Sequence, residues 1–231
     1  MRVDTTNSAA KKAAGQAAAL LVRDGMVLGL GTGSTANCFI DSLIERTHTS
    51  RLNIRVVATS ESSAARARAG GIIVEDPNKI TLIDLTIDGA DEIDTHKRMI
   101  KGGGGALLRE KIIASLSQEM VVIIDESKLV SSLGGFPLPL EVVPFAYVPI
   151  LQRVRGLGYQ GSMRLTKDGF LYTTDNGNYI IDISFAERCC DPERDEAILK
   201  GIPGILETGF FFGMAGRVLV GYRDGTVKIL T

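Results

Sequence analysis

The sequence predicts an α/β protein, an open and mainly parallel sheet domain carrying a smaller inserted α+β domain. Three observations support this. Short apolar runs alternate with helical patterns as far as Ile124, which is how parallel βα units read. Beyond the prolines at 137, 139 and 144 the order changes to βαββαβ. The chain then closes on a hairpin pattern around Asp224-Gly225. The first region is therefore Rossmann-like and the second ferredoxin-like.

Taken in order, Asn7 or Ser8 caps a first helix running to about Val22, with Ala13, Ala17, Leu20 and Leu21 on one side. Met26–Leu30 is a buried strand that breaks into Gly31-Thr32-Gly33-Ser34-Thr35, after which a helix carries Phe39, Ile40, Leu43 and Ile44. Arg55–Ala58 is a strand, Glu61–Ala69 a helix closed by Gly70-Gly71, and Ile72–Val74 a short strand. Thr81–Ile87 is a strand ending in Asp88-Gly89-Ala90-Asp91. A glycine run at 102–105 precedes a helix over 107–116, and Val121–Ile124 is another buried strand. In the second region a helix spans 147–155 and strands lie near 161–165 and 179–183. Pro192 opens a helix to Lys200, and Ile205–Thr208 is extended. Arg217–Val220 and Thr226–Leu230 form the hairpin.

Composition removes several classes of function. The 231 residues carry 26 Lys+Arg against 27 Asp+Glu, a formal net charge of −1. That leaves no basic footprint for nucleic acid or an anionic membrane. Cys38, Cys189 and Cys190 make no disulfide framework and fit a reducing compartment. With no apolar run of spanning length and no signal-peptide pattern, the expected location is cytoplasmic. His48 and His96 are the only histidines, so neither a zinc cluster nor a histidine-centred nucleophilic site is proposed. The notable excess is glycine, 26 residues, and its placement decides its meaning.

Three segments carry chemistry. Gly31–Thr35 joins a strand to a helix, where glycine amides and a helix N-terminus form an anion site. The plain alternative is a tight turn that binds nothing. Ser34 stands where a dinucleotide fingerprint needs glycine, and no acidic residue closes the next strand at Thr59-Ser60. Asp88, Asp91, Glu92 and Asp94 put four carboxylates just after a buried strand, suited to sugar hydroxyls or proton transfer, or else to a solvated turn. Lys101-Gly102-Gly103-Gly104-Gly105 leads to Arg109-Glu110-Lys111. Four glycines cost about 0.5–1 kcal/mol each relative to alanine in regular structure, which argues against a mere linker. Glu110 tilts back toward that loop from the following helix, although a helix carboxylate alone is more simply a surface charge. Lys128 follows another strand end and, read alone, is a surface lysine.

Together these three segments resemble the type A ribose-5-phosphate isomerases. The resemblance extends to Phe136–Val142, Thr174–Asn178 and Gly201–Gly204 and covers nearly the whole chain. It implies interconversion of ribose 5-phosphate and ribulose 5-phosphate, without cofactor or metal, by a cytoplasmic homodimer or tetramer. It implies that Glu110 is the proton acceptor. The chemistry of isomerisation adds Lys101 as a stabiliser of enediolate charge and Asp88, alone or with Asp91, as the group that takes or delivers the ring-opening proton. The implied substrate contacts are Thr32, Gly33, Ser34, Thr35, Asp88, Gly89, Ala90, Asp91, Lys101, Gly102, Gly103, Gly104 and Lys128. It also implies a domain division, with 1–133 and 210–231 in the Rossmann-like domain and 134–209 in the small one. Phe210-Phe211-Phe212 is unusually aromatic and touches none of these motifs. A sugar-phosphate sensor domain without turnover is the rival reading. The charge balance and the lack of a helix-turn-helix pattern before residue 26 speak against it. A glucosamine-6-phosphate deaminase or phosphogluconolactonase relative would need a histidine-centred acid–base arrangement.

Overall fold

A computed structural model describes residues 7–186, 189 and 191–231. Cys190 lies outside the described residues, and Cys38 and Cys189 form no disulfide. The chain forms two compact units. The first comprises the residues up to 90, 109–128 and 214–231, and the second 91–108 and 129–213.

The first unit is built on a six-stranded sheet. Its strands are β1 (Val27–Leu30), β2 (Arg55–Ala58), β3 (Leu85–Asp88), β6 (Met120–Asp125), β12 (Ala215–Gly221) and β13 (Val227–Leu230). They lie in the order β13-β12-β6-β3-β1-β2. All neighbours are parallel except the terminal β12–β13 hairpin. Strands β1, β3 and β6 are buried at every residue, which explains their unbroken apolar runs. Its helices are α1 (Ser8–Ala19), α2 (Ser34–Ser50), α3 (Glu61–Ala69) and α4 (Leu107–Ser115), whose first two residues fall in the second unit. Phe39, Ile40 and Leu43 of α2 pack with Leu28, Leu30, Ile87 and Val121 in the main core. Val27, Val57, Ile80, Ile83 and Ile113 form a smaller cluster.

Some expectations shift. Asn7 makes no cap to α1; its amide donates to Asp125 Oδ1 at 2.8 Å, because that buried carboxylate at the end of β6 needs donors. Of the predicted strand at 72–74 only the Val56–Val74 bridge forms.

The second unit contains β7 (Leu138–Val142), α5 (Tyr147–Gly156), β8 (Gln160–Met163), β9 (Tyr179–Ser184), α6 (Pro192–Lys200) and β10 (Ile205–Thr208). These make an antiparallel sheet in the order β10-β7-β9-β8. That is the expected βαββαβ unit, with its first and third strands in the centre. Pro139 sits within central β7 without breaking a ladder bond, since it lies just beyond the last β10 pairing at Leu140–Thr208. Leu140, Val142, Leu151, Val154, Ile181 and Leu199 belong to the core of this unit.

A third sheet joins β4 (Glu92–Ile93), β5 (Met99–Ile100) and β11 (Phe210–Phe211), with β5 in the middle. None of the three is a strand in the sequence reading, because two-residue strands carry no period. The second unit takes in 91–108, 129–133 and 210–213, which the division implied by the resemblance places in the first domain.

Candidate active site

The predicted residues divide between the units. Thr32–Thr35, Asp88–Ala90, Glu110 and Lys128 belong to the first; Asp91 and Lys101–Gly104 belong to the second.

In the first unit, Gly31–Gly33 joins β1 to α2, and the exposed Gly33 and Ser34 stand at the start of that helix. Gly31 lies against Asp88, so a methyl group there would sit 2.6 Å from the Asp88 Cα. Only glycine permits this approach of two parallel strands. Asp88 ends β3 and is wholly buried. Its Oδ1 accepts the N–H of Thr32 at 3.1 Å and of Gly89 at 2.7 Å. Two amides on one carboxyl oxygen fix its orientation.

The Thr32 hydroxyl lies 2.7 Å from that of Thr59 and donates to Ser60 at 2.8 Å, while Ser63 donates to the Gly31 carbonyl at 2.7 Å. This Thr59-Ser60-Ser63 cluster supports the loop from the start of α3. The only sequence signal for it is the run of hydroxyl residues that follows β2. Glu110 is in the first turn of α4 and 4% exposed, so its carboxylate is withdrawn from bulk water and sits in the positive field of a helix N-terminus. Arg109 instead pairs with Glu61 at 2.9 Å on the surface. Lys128 closes a short helical turn after β6 and is half-buried.

In the second unit, Lys101 is 2% exposed. Its ammonium lies 5.4 Å from the centre of the Phe211 ring, and its backbone N–H donates to the Gly209 carbonyl at 2.8 Å. The aromatic run, which touches none of the motifs in the sequence, therefore holds one of them: β11 pairs with β5 and brings Phe211 under Lys101. Gly102 and Gly105 have φ of +101° and +81°, conformations that favour glycine. Gly103 and Gly104 between them are exposed. Asp91 accepts the Gly103 N–H at 2.7 Å.

The acidic run separates by role. Glu92 accepts the amides of Gly134 at 2.7 Å and Phe136 at 2.9 Å. Asp94 accepts from the amides of His96 and Arg98 and pairs with the Arg98 side chain at 2.7 Å. Glu92 and Asp94 thus hold neighbouring backbone or an arginine, while Asp88 lies beside Gly31 and Asp91 beside the glycine turn. Among the described residues, no group of three or more His, Cys, Asp or Glu side chains is placed to hold a metal ion, and no helix is long and apolar enough to cross a membrane.

Residues 55–225 match the family model described as ribose 5-phosphate isomerase A (phosphoriboisomerase A). The chain belongs to that family. It is 51% identical to ribose-5-phosphate isomerase A of Protochlamydia amoebophila, over 98% of this chain and 97% of the relative. The solved structure of ribose 5-phosphate isomerase A from Methanocaldococcus jannaschii is similar at a TM-score of 0.91 and 38% identity, covering 97% and 99% of the two chains. A solved D-ribose-5-phosphate isomerase in complex with phospho-erythronic acid is similar at 0.90 and 38%, covering 95% and 96%. Family members thus share the architecture over nearly their whole length.

Proposed function

We propose that the protein interconverts D-ribose 5-phosphate and D-ribulose 5-phosphate as an aldose–ketose isomerase. The observation that carries this reading is Glu110, a carboxylate withdrawn from water one turn after an exposed glycine loop. Isomerisation removes the proton from C2, forms an enediolate, and returns a proton to C1. One carboxylate serves both transfers when it stands near both carbons. In this reading Glu110 is that base. Lys101 and the amides of the glycine loop stabilise negative charge on the enediolate oxygens. Asp88, with Asp91, manages the proton of ring opening. Thr32–Thr35, Gly89, Ala90, Gly102–Gly104 and Lys128 contact the sugar phosphate. The family's curated members and the phospho-erythronic acid complex support the substrate class. The same family membership supports a cytoplasmic homo-oligomer, dimer or tetramer.

Glu110→Gln tests the base. Turnover should fall at least 10²-fold, the usual share of general acid–base catalysis, with the fold and ribose 5-phosphate binding retained. Near-wild-type turnover would remove Glu110 from the role. Binding by the wild-type protein without formation of ribulose 5-phosphate would favour the sensor reading instead.

A further inference from the structure

The glycine turn has no side chains of its own to hold it, and freezing such backbone costs conformational entropy at every residue. Its hydrogen bonds come from elsewhere in the second unit. Arg164, just after β8, donates from Nη1 to the carbonyl of Gly102 at 2.8 Å and to that of Gly103 at 3.2 Å. The Tyr172 hydroxyl donates to the carbonyl of Gly104 at 3.2 Å. The Gly102 carbonyl also accepts the Gly105 N–H at 3.0 Å, closing the turn. Three successive carbonyls are thus occupied by donors from one loop of the small sheet.

Arg164 is itself held firmly. Asp182 of β9 takes its Nε at 2.8 Å and its Nη2 at 2.5 Å, a two-point fork with both side chains mostly buried. The guanidinium carbon lies 5.8 Å from the centre of the Tyr172 ring. Burial pushes the Tyr172 hydroxyl further above its ordinary pKa, which already leaves it protonated at neutral pH. An arginine serving only the β8–β9 hairpin would be satisfied by Asp182. Here the remaining nitrogen, Nη1, is spent on the turn.

We propose that Arg164, clamped by Asp182 and flanked by Tyr172, is a positioning residue for the isomerisation, fixing Gly102–Gly104 so that the N–H of the exposed Gly104 and adjoining Lys101 meet the enediolate in one geometry. The Arg164 cation on the Gly103 carbonyl also polarises the Gly104 N–H of the same peptide unit, making it a stronger donor, whereas the Gly103 N–H is taken by Asp91. The inference rests on the isomerase reading above. It concerns residues that the resemblance did not assign.

The test compares wild type with Arg164→Met, Arg164→Lys and Tyr172→Phe, measuring kcat, KM for ribose 5-phosphate, Kd for phospho-erythronic acid, and Tm. Phospho-erythronic acid carries a planar carboxylate, which resembles the charged end of the enediolate. Lost preorganisation appears in the transition state more than in the ground state. Arg164→Met should therefore lower kcat about 10- to 100-fold while KM stays within about threefold, and analogue binding should weaken in step with kcat. Arg164→Lys keeps the charge but cannot fork to Asp182 while reaching the turn, so it should recover only part of the loss. A purely structural role would lower Tm and leave kcat per analogue-binding site unchanged. That result, or kcat and analogue affinity within about twofold of wild type, overturns the proposal. If Arg164→Met does not fold, Tyr172→Phe decides. It should cost about three- to tenfold in kcat with KM preserved, and an unchanged kcat overturns the proposal. A wild-type protein that converts no ribose 5-phosphate fails the isomerase reading itself, whereas an Arg164→Met variant equal to an active wild type fails only this inference.

Discussion

Asp88→Asn separates ring opening from proton transfer. The carboxyl is wholly buried at the end of β3, and its Oδ1 takes the amides of Thr32 and Gly89. Asparagine has nearly the same volume and keeps an oxygen for both amides. The stability cost is then the exchange of charge-assisted for neutral hydrogen bonds, about 1–2 kcal/mol. For a chain of this size that corresponds to roughly 2–8 °C in Tm, so the variant remains folded for assay. What asparagine cannot do is take or deliver a proton. Opening the ribose 5-phosphate furanose should slow by about 10²–10⁴, the range for general acid–base groups. Ribulose 5-phosphate has its C5 oxygen blocked by phosphate and stays open-chain, so its chemistry needs no ring step. Exchange of its C1 hydrogen with D₂O, followed by NMR, should therefore stay within about fivefold of wild type, under about 1 kcal/mol. Isomerisation and exchange falling together would refute the assignment and place Asp88 in the enolisation. Neither falling would remove it from catalysis.

Two further predictions concern residues outside the three motifs. Phe211→Leu removes the ring beneath the Lys101 ammonium and should forfeit about 0.5–2 kcal/mol of cation–π attraction. It should appear as a loss of kcat/KM in steady-state assays, and an unchanged value would make the contact incidental. Glu119 and Arg217 form a two-point ion pair between the loop before β6 and β12, at 2.7 and 2.8 Å. The Arg217 hydrogen bond holds the Glu119 carboxyl below its ordinary value of about 4.5, against the opposing effect of burial. A lowered folded pKa adds stability that is complete above the unfolded value and disappears as pH falls through the folded one. Arg217→Met should therefore lower Tm at neutral pH, by an amount consistent with about 0.2–1 kcal/mol for a partly exposed pair. The gap from wild type should close below about pH 4.5, and a gap independent of pH would refute the linkage.

The parallel sheet was legible because β1, β3 and β6 are buried on both faces and must be apolar throughout. The βαββαβ unit was legible because its helices are bounded by Pro192 and by glycines at 156 and 201. The β4, β5 and β11 strands were not legible, since two residues carry no periodicity and the partner of β5 in β11 is distant in sequence. The division of the acidic run shows the same limit. Asp88 and Glu92 look equivalent in sequence, yet one ends a strand beside Gly31 and the other caps the loop at 134–136.

By itself the sequence determined the order of the longer strands and helices, the glycine placements, and which residue types stand at the ends of those strands. Local periodicity and backbone freedom decide these. Tertiary structure alone decided that Phe211 lies under Lys101. It decided that the Thr32 hydroxyl joins Thr59 and Ser60, and that Arg164 and Tyr172 hold the carbonyls of the glycine turn. Those partners are about 27 to 110 residues apart in the chain, from Thr32–Thr59 to Lys101–Phe211. Side-chain contacts at such separations depend on how sheets pair and helices pack, which no local pattern encodes.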